Sequence, residues 1–255
     1  MVAGTFRTTL PSAAFRPMRS LLCLALLAAF FPLPAPAGEV ALWRMKIAVD
    51  GIPFGEMTVR ERRRGARYEV QVQGRASELI GFFLRARYRG VSTGRGRGGA
   101  ARPRLFAYDM HRIFRQRQVR IAYAGGRPVR VAISPRSDRS PLSTPDAVLR
   151  ARPDPLVVLA ELFHPRTRCP EAAEMYDGRR IARIAFAPPE TTSDGFLCRG
   201  SYVILRGPDH SLRPGQRVFP LTLRYRAPPG GAGTLARIEL RSGRDMVTLT
   251  PEAAP

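Results

Sequence analysis

The stretch LWRMKIAVDGIPFGEMTVRERRRGARYEVQVQ, residues 42–73, decides the fold. Leu42, Arg44, Lys46 and Ala48 alternate with Trp43, Met45, Ile47 and Val49, and the run halts at Asp50-Gly51, a pair suited to the tight turn of a β-hairpin. Met57 to Arg62 resumes the extended pattern, Arg64-Gly65 turns the chain again, and Tyr68-Glu69-Val70-Gln71-Val72-Gln73 alternates in its turn. A period of two sets one row of side chains against a core and the other in water. The segment reads as an antiparallel meander.

Further period-two segments lie at 84–91, 118–123, 128–133, 180–186, 201–205, 219–225, 234–240 and 245–249. Gly, Pro, Asp and Ser punctuate them at the spacing of a β-sandwich or barrel. Two segments interrupt the pattern. Residues 77–83 (SELIGFF) read as an apolar knot of roughly one helical turn. Asp154-Pro155 opens the run LVVLAELF, with Asp154 as N-cap and Pro155 at the first helical position. That run is apolar nearly all round, which predicts a helix over about 154–163 buried inside a curved sheet. The expected fold is mainly β, an antiparallel meander forming an open or incomplete β-barrel with one buried helix. Residues 92–103 read as a flexible loop, 134–153 as a long exposed one, and 207–217 and 227–233 as connections.

At the N-terminus Arg7, Arg16 and Arg19 precede the apolar run Leu21 to Phe31, and Ala35-Pro36-Ala37 follows. This is the pattern of a secretory signal cleaved between Ala37 and Gly38. The apolar run is well short of the roughly 20 residues that span a bilayer. The expected organisation is a leader over 1–37 and one β-rich domain over 38–255, located in the periplasm. Cys23 leaves with the leader, so Cys169 and Cys198 remain as an even pair in an oxidising compartment and are expected to form a disulfide. They lack the Cys-x-x-Cys spacing of a redox couple.

Formal net charge is +22, from 42 Lys and Arg against 20 Asp and Glu, and Lys46 is the only lysine. Such a balance attracts anionic surfaces, here lipopolysaccharide or phospholipid head groups. Export argues against nucleic acid as a partner.

His111, His164 and His210 stand apart from one another and in no metal-ligand spacing, so neither metal nor cofactor is expected. His164 ends the helix, where an imidazolium favours the negative end of the dipole. Asp209-His210-Ser211 are adjacent, and a triad is assembled across a fold rather than along a chain. Gly94-Arg95-Gly96-Arg97-Gly98-Gly99 lacks the strand and helix that flank a phosphate loop. Asp177 in Tyr176-Asp177-Gly178-Arg179-Arg180 is first of all a turn residue, as Asp154 is first a cap. No catalytic residue is assigned. The candidate ligand site is this turn, Tyr176, Asp177, Arg179 and Arg180, with an anion as the group its arginines would take. The aromatic residues, among them Trp43, Tyr68, Tyr88, Phe106, Phe163, Tyr202 and Tyr225, either fill a core or line an apolar cavity.

The order of motifs resembles the bacterial domain of unknown function family numbered 3108. It is carried by LWRMKIAVDGIPFG, YEVQVQG, ELIGFF, the Asp154-Pro155-Leu156 helix, the YDGRR turn at 176–180, FLCRGSYVIL around Cys198 and the closing VTLTP, over roughly residues 40–250. It departs where Arg180-Ile181-Ala182 stands in place of a more usual Arg-Tyr-Asp. The resemblance implies a periplasmic β-rich protein with no assigned biochemistry, similar at the level of fold to envelope lipoprotein carriers. The function expected is a non-catalytic envelope binding or carrier module for a hydrophobic or anionic ligand, lipid included. The alternative is a structural or interaction protein docking on an anionic envelope or membrane surface, and a hydrolase ranks last.

Overall fold

A computed structural model describes residues 38–77, 86–112, 115–209 and 215–252. The signal segment with Ala37, the body of the apolar knot, Phe114 and His210 lie outside the described residues.

Fourteen strands form one antiparallel sheet among the described residues. They are β1 (Glu39–Val49), β2 (Ile52–Arg64), β3 (Arg67–Ala76), β4 (Arg87–Arg95), β5 (Arg102–Arg112), β6 (Arg115–Ala124), β7 (Arg127–Ser134), β8 (Ala173–Tyr176), β9 (Ile181–Phe186), β10 (Glu190–Thr192), β11 (Gly195–Arg206), β12 (Val218–Arg226), β13 (Thr234–Ser242) and β14 (Asp245–Pro251). The first hairpin turns where expected: Asp50 has φ 50° and Gly51 φ 81°, the left-handed pair of a two-residue turn. β1 pairs with both β2 and β14, so two arms spread from the centre, one ending at β7 and the other at β8. The sheet is open, because β7 and β8 do not pair with each other.

Alternation sets the inner face. Met45, Val59, Tyr68, Val70, Val72, Phe106, Val119, Ile121, Leu221, Leu223 and Tyr225 are buried, while their strand neighbours face outward. The helix α1 (Pro155–Phe163) lies on this inner face against β3, β4, β8 and β13, with Leu156, Val157, Val158, Ala160, Leu162 and Phe163 buried. Phe163 stacks on Trp43 at 5.3 Å between centroids, and the Tyr225 hydroxyl donates to the Leu162 carbonyl at 2.8 Å. Together these residues form one continuous core. The expected mainly β open barrel with a buried helix is the observed fold.

Two loops differ from expectation. Residues 92–95 belong to β4 and 102–103 to β5, with a 3-10 turn at Gly98–Ala100 between them, and Ser92 is fully buried. The segment 134–153 is not simply exposed: Asp138, Leu142, Ser143, Val148 and Pro153 are buried. It covers the gap between the two arms. The Ser140 hydroxyl donates to the Arg179 carbonyl, the Tyr176 hydroxyl to the Leu142 carbonyl at 2.5 Å, and the Tyr176 amide to the Pro153 carbonyl at 3.0 Å. Backbone and apolar groups that an open edge would leave wet are thereby satisfied. Strands β5, β8 and β10 were not expected from the sequence. In β5 the alternation is broken by a bulge where Arg104 has no partner in β4, and β8 and β10 are too short to show a period.

Candidate functional site

The turn between β8 and β9 does not hang in solvent. Gly178, at φ 93°, lies against the inner side chains of β6 and β7, where an added Cβ would meet Val119 at 2.9 Å and Ile121 at 3.3 Å. Asp177 shapes the turn: its Oδ1 accepts the amides of Arg179 and Arg180 at 2.8 and 2.7 Å. Tyr176 is buried and spends its hydroxyl on Leu142. Tyr176 and Asp177 are thus scaffolding, and the groups they aim are the two guanidiniums.

Arg179 is 8% exposed, and its Nε and that of Arg180 are buried with no hydrogen-bond partner among the described residues. Burial, and next the charge of Arg117, lower the affinity of Arg179 for its proton. Arg117, on the inner face of β6, is bound by Asp138 at 2.5 Å, and Asp138 also takes a short contact from Arg115. Although burial alone would raise it, these two guanidiniums hold the Asp138 carboxyl down to about 2. Asp138 is therefore already shared between two cations. Among the described residues, Arg179 and Arg180 are left without a carboxylate of their own at salt-bridge distance.

Tyrosines border this corner. Tyr88 and Tyr108 stack at 5.6 Å on adjacent strands, Tyr108 interacts with Arg117, and Tyr202 on β11 interacts with Arg180. All three are half-buried. Burial, with the Asp177 charge adding to it, pushes the Tyr202 phenol up to about 12, so its proton stays on. The arrangement offers neutral phenols, ring faces and two guanidiniums with free donors, which is the chemistry of anion recognition.

Two further polar groups sit inside the sheet. Asp154 caps α1, its Oδ1 accepting the amides of Leu156 and Val157 at 2.9 and 3.3 Å. Its Oδ2 lies 2.5 Å from the Ser92 hydroxyl, which in turn reaches Tyr68 at 3.4 Å. Complete burial raises the Asp154 carboxyl to about 6 against the lowering effect of these donors. On β2, Glu61 and Arg63 face inward, with Glu61 Oε1 2.5 Å from Arg63 and Oε2 2.5 Å from His164 Nε2. Desolvation would raise Glu61, but the His164 hydrogen bond and the Arg63 charge hold it below the usual range.

Cys169 and Cys198 form a disulfide, with Cα atoms 5.5 Å apart. His111 is exposed at the end of β5, opposite Arg87 and Gln116. Among the described residues no three His, Cys, Asp or Glu side chains gather as a metal site would require.

Sequence reasoning singled out Arg179 and Arg180 as ligand-binding, and Tyr88 and Tyr202 only as aromatics of a core or cavity, and it did not single out Arg117, Asp138 or Tyr108. Parity could have found some of them: Val119 and Ile121 are plainly core, so Arg117 must face inward as well.

No family model matches the chain, so the resemblance to family 3108 finds no counterpart there, and no curated protein matches it. Among solved structures it is similar to a beta-barrel-like protein of domain of unknown function DUF1849 from Brucella abortus. The identity is 9%, the match covers 85% of this chain and 96% of that one, and the TM-score is 0.47.

Proposed function

We propose that this protein is a non-catalytic binding module of the cell envelope that holds an anionic group at Arg179 and Arg180. The observation that carries the reading is the pair of buried Nε atoms without partners among the described residues, beside a third arginine whose carboxylate is shared. A buried donor left unpaired costs about 1–3 kcal/mol, so a ligand oxygen that accepts from it gains that penalty back. The ring faces of Tyr88, Tyr108 and Tyr202 would take an apolar portion next to the charged head. The leader-like N-terminus and a motif order resembling that of family 3108 support an exported location.

Native mass spectrometry of protein exported to a periplasm and purified without detergent tests this. A retained anionic species in the wild type that is missing from Arg179→Gln supports the reading. A bare mass for both, together with no binding of added anionic amphiphiles, contradicts it.

A further inference from the structure

The outer face of the sheet carries a feature that the inner site does not explain. At one rim, four arginines stand directly opposite one another on four adjacent strands: Arg64 faces Arg67, Arg67 faces Arg95, and Arg95 faces Arg102. All four are exposed, and their inward neighbours Arg63, Tyr68 and Gly94 show that the row points away from the core. None has a carboxylate at salt-bridge distance among the described residues. Among the described residues the Arg102 guanidinium reaches the Ala100 and Ala101 carbonyls. The rank behind contains Glu69, which lies opposite Arg62 and accepts from Gln71. Like charges directly opposite across strands destabilise a sheet. Three such pairs in series are therefore an electrostatic cost that the isolated protein bears.

Strands lie about 4.8 Å apart, so the row spans roughly 15 Å in a line. The topology adds a second basic hairpin to the same rim, because β6 turns into β7 there and places Arg127 beside it. We infer that this rim is a docking surface for a membrane leaflet bearing anionic phosphate head groups. Guanidiniums bind phosphate oxygens two at a time, and a planar lattice of phosphates can meet all four arginines at once. Single-stranded nucleic acid would also supply phosphates, but it is held by aromatic stacking platforms. The aromatic residues of these strands, Tyr68, Tyr88, Phe106 and Tyr108, belong to the inner face.

The test is co-sedimentation of residues 38–255 with large vesicles of phosphatidylglycerol and phosphatidylcholine, against pure phosphatidylcholine, over a series of salt concentrations. The row variant Arg64→Gln/Arg67→Gln/Arg95→Gln/Arg102→Gln is compared with Arg136→Gln/Arg183→Gln/Arg206→Gln/Arg241→Gln, four exposed arginines elsewhere with the same loss of charge. Each basic residue held at an anionic surface is worth about fivefold in affinity. The expected result is salt-sensitive binding to the anionic vesicles, reduced more than a hundredfold by the row variant and less than tenfold by the control. The row variant should melt no lower than the wild type, because repulsion has been removed. Equal losses in the two variants, or capture of single-stranded DNA in the absence of vesicle binding, would overturn the inference. Arg179→Gln should bind vesicles as the wild type does, so failure of the inner site and failure of the rim are separately readable.

Discussion

His164 Nε2 lies 2.5 Å from Glu61 Oε2, which ties the residue ending the helix to the inner face of β2 across 103 positions of sequence. Arg63 closes on the other Glu61 oxygen at 2.5 Å and donates to the Gly96 carbonyl at 3.0 Å. Glu61 and Arg63 are 1% and 5% exposed, so neither can be left alone cheaply.

Removing one member should therefore hurt more than removing both. Glu61→Leu, which strands the Arg63 cation, should cost about 3–5 kcal/mol in a urea melt. Glu61→Leu/Arg63→Met should recover most of that loss, since an apolar pair of similar volume carries no desolvation penalty. A double variant as unstable as the single would show that the ion pair itself, and not the stranded charge, holds this part of the core.

Asp154 gives a pH dependence of unusual sign for a carboxylate. Its folded value is raised to about 6 from 3.8 by burial, so the folded state holds the proton more tightly than the unfolded chain. Stability from this group is then full below pH 4 and declines as pH rises to 6, by an amount on the order of 3 kcal/mol. Asp154→Asn keeps the Oδ1 acceptor for the Leu156 and Val157 amides and donates to Ser92, imitating the protonated acid. It should flatten that slope, while Asp154→Ala, which loses the cap, should cost about 1 kcal/mol or more at any pH. The measurement is unfolding free energy from pH 4 to 7.

Asp138 has the opposite sign. Its value is depressed to about 2 by Arg117 and Arg115 despite burial, so its stabilisation is present above pH 4 and is lost as pH falls toward 2. The contribution is on the order of 2 kcal/mol at neutral pH. Asp138→Asn should lower stability by about 3 kcal/mol, because Arg117 is left buried beside Arg179. Thermal melts at pH 7 and pH 3 should show the wild type and the variant converging in acid.

The parts of this fold that were legible in the sequence are the local ones. The hairpin at Asp50-Gly51, the period of two through β2 and β3, and the Asp154-Pro155 start of the helix each depend on residues a few positions apart. The cysteine pair needed only counting. The inner polar groups were not legible in the same way, since RERRRG at 60–65 looks like a solvated charge run. Yet Val59 faces the core, and stepping by two from it makes Glu61 and Arg63 inward residues. What no local pattern contains is their partner, because His164 comes from the far end of a helix. The same holds for Arg117, whose Asp138 lies in a segment rich in Ser, Pro and Arg that reads as exposed until it has an open seam to cover.

The disulfide joins residues 29 apart and anchors the segment that leads from α1 into β8. On the chain-entropy account, a loop of that length stabilises the fold by about 3–4 kcal/mol. Cys169→Ser/Cys198→Ser should lower the melting temperature by about 10 °C with an unchanged far-ultraviolet spectrum. Reductant should shift the wild type by a similar amount and leave the variant where it is.

The most direct test of the anion site is titration of decyl phosphate, an anionic head on an apolar tail, into the wild type, Arg179→Gln and Arg180→Gln, followed by calorimetry. Saturable binding in the wild type, weakened at least tenfold in both variants while each still unfolds cooperatively, is the predicted result. Equal affinity in all three proteins, or none in the wild type, would contradict the assignment of Arg179 and Arg180 as the ligand-holding pair.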